Sequence, residues 1–216
     1  MIQGAAEAGG GVVVPGVHDC PVLRLMGTAY HEAAHGVAAG AMWSAITVTS
    51  ATIIPDDTSL GRVTFEEPDE LLLGTDRDER VAAARAAEAD AVFCLAGYVA
   101  EGLFHGHHDL PDFVLGTQDF DDLVQTTAVT WDGDSTRVCH ALAYQDSVRD
   151  LLEDSRVWRA VSLVASALIC ERTLSGEQIR AIVDAVGVKP DPERQPFLFF
   201  EDDLDDDDEA FSWERW

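Results

Sequence analysis

From residue 21 the apolar positions keep a helical spacing to about residue 42, and Pro21 suits a first helical turn, where its missing N–H is not needed. Residues 44–54 then switch to a run of Ile, Val and Thr, the side chains that fill a pleated strand. Pro55-Asp56-Asp57 marks a turn, and residues 61–65 read as a second short strand. Residues 77–104 are strongly helical: Val92, Leu95, Val99 and Leu103 recur on one face with alanines beside them. Residues 105–111 read as a loop, and residues 120–131 as a helix entered through Thr117 or Asp119. Residues 148–170 read as one long helix with Leu151, Val161, Val164 and Leu168 on a common stripe. Ser175-x-x-Gln178 is a capping box that opens a last helix, ended by Gly187 and Pro190. The pattern predicts a mainly α domain with a small β-sheet after the first helix, and no internal repeat.

The ends differ from this middle. Residues 1–20 are rich in Gly, Ala and Val without a clear period, and are expected to be a flexible lead-in with a short strand at 12–14. The folded domain is expected over residues 21–188. Residues 189–216 form an acidic tail in which 201–216 carry nine acidic side chains against one arginine. Bare acidic runs stay solvated and disordered. This one also holds Phe197, Phe199, Phe200, Phe211, Trp213 and Trp216, far above the chain's 8% aromatic content. Solvation does not account for aromatics, so the tail is a candidate segment for docking a partner protein or its own domain.

Composition narrows the partners. Across 216 residues, 14 Lys and Arg oppose 40 Asp and Glu, a net charge of −26. Nucleic-acid backbones and anionic membranes both require clustered basic residues, so neither is an expected partner. The one lysine, Lys189, lies between Val188 and Pro190, which excludes a Walker A phosphate loop within these residues. Cys20, Cys94, Cys139 and Cys170 form no C-x-x-C clip and suggest buried, reduced thiols in a cytoplasmic protein. The first basic residue is Arg24, so the charged start of a signal peptide is missing. Residues 36–55 are uncharged, but their Ser, Thr and β-branched content is wrong for a membrane-spanning helix.

The strongest chemical signal is His31-Glu32-Ala33-Ala34-His35. On a helix, residues four apart share a face and lie about 6 Å apart along the axis. Two imidazoles so placed can grip one zinc ion, and Glu32 beside them is placed to take a proton from a water bound there. The metzincin pattern would need glycine at 38 and histidine at 41; Ala38 and Ala41 exclude it and leave a carboxylate as the third ligand.

Four blocks in order resemble the peptidase domain of the FtsH family of ATP-dependent zinc metalloproteases. Ala29-Tyr-His-Glu-Ala-Ala-His35 resembles the family's HEAGH helix. Residues 48–65, with Thr52-Ile-Ile-Pro55 and Leu60-Gly61, resemble its strand segment. Leu95-Ala-Gly97 through Ala100-Glu101 resembles its L-G-G-R-A-A-E helix, and residues 168–179, holding Glu171-Arg-Thr-Leu-Ser-Gly-Glu177, its closing helices. The resemblance covers roughly residues 24–187. It departs from the family at Ala34, where a glycine is usual, and at Tyr98, where an arginine is. Family members also carry a membrane anchor and an AAA ATPase, so this chain is expected to act as a stand-alone peptidase.

The resemblance implies a helical zinc metallopeptidase fold with Zn2+ held by His31, His35 and Asp122. Asp122 falls on the family's ligand position in Phe120-Asp121-Asp122-Leu123, with Asp121 and Asp119 as neighbours that could take its place and Glu66 or Glu67 as further alternatives. Two roles stay open for Glu101: orienting a residue of the metal site, or an ordinary solvated helix glutamate. His105-Gly-His-His108 is open between an accessory metal clip and a polar loop. The implied activity is zinc-dependent endopeptidase cleavage of peptides or unfolded protein segments, independent of ATP, with Glu32 as general base. The strand at 46–54 is expected to offer the sheet edge on which an extended substrate adds. The family's hexameric rings leave room for an oligomer. The rival reading is a catalytically inactive FtsH-peptidase-like module that binds or adapts.

Overall fold

α1 (Pro21–Ala41) runs through the centre of the molecule, with Ala29, Ala33, Ala34 and Val37 fully buried. The structure is a computed structural model that describes residues 20–41, 46–57, 59–66, 77–106 and 134–189. The small side chains of α1 let neighbouring backbones approach closely, and α2 (Arg77–His105) packs along it most extensively. α3 (Asp134–Glu153) lies on α2, while α4 (Ser155–Glu171) and α5 (Gly176–Val186) close over α1. Val92 and Leu95 of α2, Val148 and Leu152 of α3, Val161, Val164 and Leu168 of α4, and Ile179 of α5 complete the core. Each such side chain contributes about 1.5–3 kcal/mol of burial. Tyr30 of α1 stacks on Phe104 of α2 at 4.6 Å and tilts against Trp158 of α4 at 5.5 Å, tying three helices at one end.

The sheet after α1 has β1 (Thr47–Thr52), β2 (Arg62–Glu66) and a later strand, β3 (Thr173–Ser175). All pairs are antiparallel and the order is β2-β1-β3. β1 is therefore central, and the expectation that it offers a sheet edge is wrong. The three residues of β3 were too few to carry an alternation of their own, so they read only as the approach to a helix. Arg172, with φ 69°, turns the chain out of α4, and the Ile53 N–H donates to its carbonyl at 2.9 Å to start the pairing.

β1 carries a bulge: its register with β2 slips between Val48 and Ser50, leaving Thr49 extra. Buried positions accordingly change phase, from Ile46 and Val48 to Ala51 and Ile53. Thr64 of β2 serves both residues at the bulge, its hydroxyl meeting those of Thr49 at 2.8 Å and Ser50 at 2.7 Å.

Residues 148–170 are not one helix. α3 ends at Glu153 and α4 starts at Ser155, because the Asp154 side chain accepts from the backbone N–H groups of Arg156 at 2.9 Å and Val157 at 3.2 Å. An aspartate that caps this way ends the helix before it. The apolar stripe hid the break, since Leu151 and Val157 are both buried across it. α5 starts as expected, with Gln178 N–H on Ser175 Oγ and Ser175 N–H on Gln178 Oε1, and ends at Gly187 in the left-handed region. His105 closes α2 rather than opening a loop. Of the thiols described, Cys94 is buried, whereas Cys20 before α1 and Cys170 on the outer face of α4 are exposed, against the expectation. No described helix is long and apolar enough to cross a membrane. The expected helix at 120–131, the lead-in at 1–19 and the tail from 190 lie outside the described residues.

The Val157 N–H, with the Arg156 N–H and guanidinium adding to it, holds the Asp154 carboxyl below its ordinary value of 3.8. A carboxyl depressed on folding stabilises the fold in full above that value and loses its contribution as pH falls through the lower folded-state value. Asp154→Ala is expected to cost about 0.5–2 kcal/mol at neutral pH. Urea unfolding of wild type and variant should show this difference shrinking below pH 3.8.

Candidate functional site

Two rows of residues, each spaced one helical turn apart, face one another between α1 and α2. Gly27, His31 and His35 form the row on α1; Phe93, Gly97, Glu101 and His105 form the row on α2. The helices run antiparallel, so His35 meets Phe93 and Gly97, while His31 meets Gly97 and Glu101.

The His35 Nδ1 donates to the Phe93 carbonyl at 2.7 Å. A carbonyl only accepts, so Nδ1 carries the proton and Nε2 keeps its lone pair. His31 Nδ1 lies 3.4 Å from Glu101 Oε2, which favours the same tautomer. Both Nε2 atoms turn towards one place: a Cβ built on Gly97 would lie within 2.5 Å of each. Gly97 thus lets both imidazoles close on the α2 backbone, in a helix where alanine would otherwise serve better by about 1 kcal/mol.

The walls fix these rings further. Tyr98 stands edge-on to His31 at 4.6 Å, and Phe93 lies 5.0 Å from the ring of His35. Phe65 of β2 in turn meets Phe93 at 5.2 Å. His35 is 4% exposed and Glu32 6%. Glu32 lies under the start of β2, where a Cβ on Gly61 would come 2.5 Å from its Oε1. The turn before Gly61 is pinned: Ser59 N–H donates to Asp56 Oδ1 at 2.9 Å, Asp56 N–H to the Ser59 carbonyl at 3.0 Å, and Arg62 pairs with Asp56.

The structure sets His31 and His35 side by side against Gly97, and Glu32, the next residue on α1, under Gly61. Glu101 lies beside His31, half-buried, with Oε2 3.4 Å from its Nδ1. Glu66 ends β2, opposite Thr47 and exposed. Asp122, Asp119, Asp121, Glu67 and His108 lie outside the described residues. Among the described residues no group of three His, Cys, Asp or Glu side chains is placed to hold a metal ion.

Two imidazoles whose Nε2 atoms lie side by side, each with Nδ1 engaged behind, are a donor pair that could hold a zinc ion. Sequence reasoning did not assign roles to Gly97, Gly61 or the Phe93 carbonyl. A glycine inside the alanine-rich run of α2 was the available signal, since propensity opposes it. The Phe93 carbonyl, being backbone, leaves no trace in the residue pattern. Compared with known proteins, the chain matches no family model and no curated sequence.

Gly97→Ala is expected to leave α2 helical and, if the histidine pair takes up cobalt(II), to abolish that uptake, because its methyl group would collide with both rings. Cobalt(II) absorption titration beside far-UV circular dichroism checks both parts.

Proposed function

We propose that the chain is a zinc-dependent metalloendopeptidase acting on peptides or unfolded protein segments. The observation that carries this reading is the convergence of His31 Nε2 and His35 Nε2 over Gly97, with each Nδ1 engaged behind. The resemblance to the FtsH peptidase blocks supports it and nominates Asp122 as the third ligand.

His31, His35 and Asp122 would hold the ion. Zinc, when bound there, would supply a Lewis acid that lowers the pKa of water to about 7 and polarises a carbonyl. Glu32 would take the proton of the attacking water and return it to the leaving amine. Its burial under Gly61 holds the carboxylate away from bulk solvent. General-base help of this kind is worth about 10²–10⁴ in rate.

The sheet supplies a place for the substrate, though not on β1. Among the described residues β2 has no strand on its outer edge. One end of β2 follows Gly61 over Glu32, and the other carries Phe65 against Phe93, the neighbour of His35. An extended peptide added to that edge would lie along the site, with exposed Leu60 and Phe65 offering apolar contacts to its side chains.

Elemental analysis of the purified wild type is expected to find stoichiometric zinc, and Asp122→Ala to lose it. Glu32→Gln should retain zinc and cleave an unfolded protein about 10²–10⁴-fold more slowly. No zinc in the wild type, even after incubation with excess metal, would sink the reading. Retained zinc with Glu32→Gln as effective as wild type would favour the non-catalytic adaptor.

A further inference from the structure

We propose that His105 is a positioning residue for the metal centre: its imidazole holds the Glu101 carboxylate in the plane from which that carboxylate orients His31. This rests on His31 and His35 being metal ligands.

The two ligands are oriented by unequal means. His35 leans on the Phe93 carbonyl, which is fixed within α2. His31 leans on the end of a glutamate side chain, half-buried and able to rotate about several bonds. A carboxylate held by one oxygen swings; held by both, it has one orientation. Glu101 Oε2 is 3.4 Å from His31 Nδ1. Its other oxygen, Oε1, shares a small space with His105 Nε2: a Cβ on Gly27 would lie 3.0 Å from Oε1 and 2.9 Å from Nε2. Glu101 and His105 are one turn apart on α2, a spacing at which side chains meet.

His105 is itself held. Its ring stands edge-on to Phe104 at 4.9 Å, and Phe104 is stacked on Tyr30. Its place at the last turn of α2 favours an imidazole that donates, since the helix C-terminus favours positive charge. Gly27, one turn before His31, leaves the room in which the two side chains lie against the α1 backbone. His31 thus receives through two side chains the orientation that His35 receives from one carbonyl.

The test uses the full chain and zinc alone, with affinity measured by competition against a chromophoric chelator. His105→Leu is expected to weaken zinc binding about 10- to 100-fold, the range seen when an orienting partner is lost, and His105→Gln, which can still donate to the carboxylate, to recover most of it. In the metal-free protein, nitrogen-15 spectra should show His31 protonated at Nδ1 in the wild type and divided between tautomers in His105→Leu. Should His105→Leu fail to fold, Gly27→Ala tests the same contact from α1 and should weaken zinc binding likewise. Unchanged affinity in His105→Leu, or in Gly27→Ala where that stands in, beside a loss in Glu101→Gln overturns the proposal and leaves the metal reading standing. Zinc uptake by none of the proteins overturns both.

Discussion

Everything at the site depends on how closely the backbones of α1 and α2 approach. The rows Gly27-His31-His35 and Phe93-Gly97-Glu101-His105 fit because each presents space where the other presents a ring or carboxylate. Rows four residues apart are the ridges by which helices most often interdigitate. Here both rows carry polar groups, which an interface of this kind tolerates only when each has a partner, because a buried polar group without one costs about 1–3 kcal/mol. The two ring Nδ1 atoms meet that demand at Phe93 and Glu101. Helix packing and imidazole orientation are thus the same set of contacts.

The other elements hold this pair in place. Tyr30, Phe104 and Trp158 fasten one end, while Phe65 and Phe93 close the other against the sheet. The pinned turn at Asp56 brings Gly61 over Glu32, so the Glu32 carboxylate and the ring nitrogens on one helix are fixed by different elements. α5 reaches the same region from behind: Gly176 sits so tightly against the Val48 carbonyl that any side chain there would overlap it. That contact covers the side of β1 left unpaired by the short β3.

Much of this was legible in the residue pattern, and the parts that were not have physical reasons. The helical period predicts α1 and α2, the capping box predicts α5, and the HExxH spacing puts His31 and His35 on one face of α1. The break at Asp154 was hidden because the apolar stripe of residues 148–170 runs across it in phase. The centrality of β1 was hidden because its second neighbour comes from residues 173–175, more than a hundred positions later. The partner of His35 was hidden because it is a carbonyl. Glu101 was readable as a candidate, yet a helical glutamate has the same local pattern whether it faces water or an imidazole.

The bulge at Thr49 has a bearing on how this chain can vary. The strand presents Ile46 and Val48 inward on one side of the bulge and Ala51 and Ile53 on the other, and the extra residue is what reconciles the two halves. Thr49 is therefore a place where β1 can change in length: without it Val48↔Phe65 and Ser50↔Thr64 become successive pairs, and Ile46, Val48, Ala51 and Ile53 fall on one unbroken alternation. The turn pinned at Asp56 has no such slack, since shortening it would draw Gly61 off Glu32. Length can vary at the bulge more freely than at the turn, which acts as a fixed measure between the sheet and the helix beneath it.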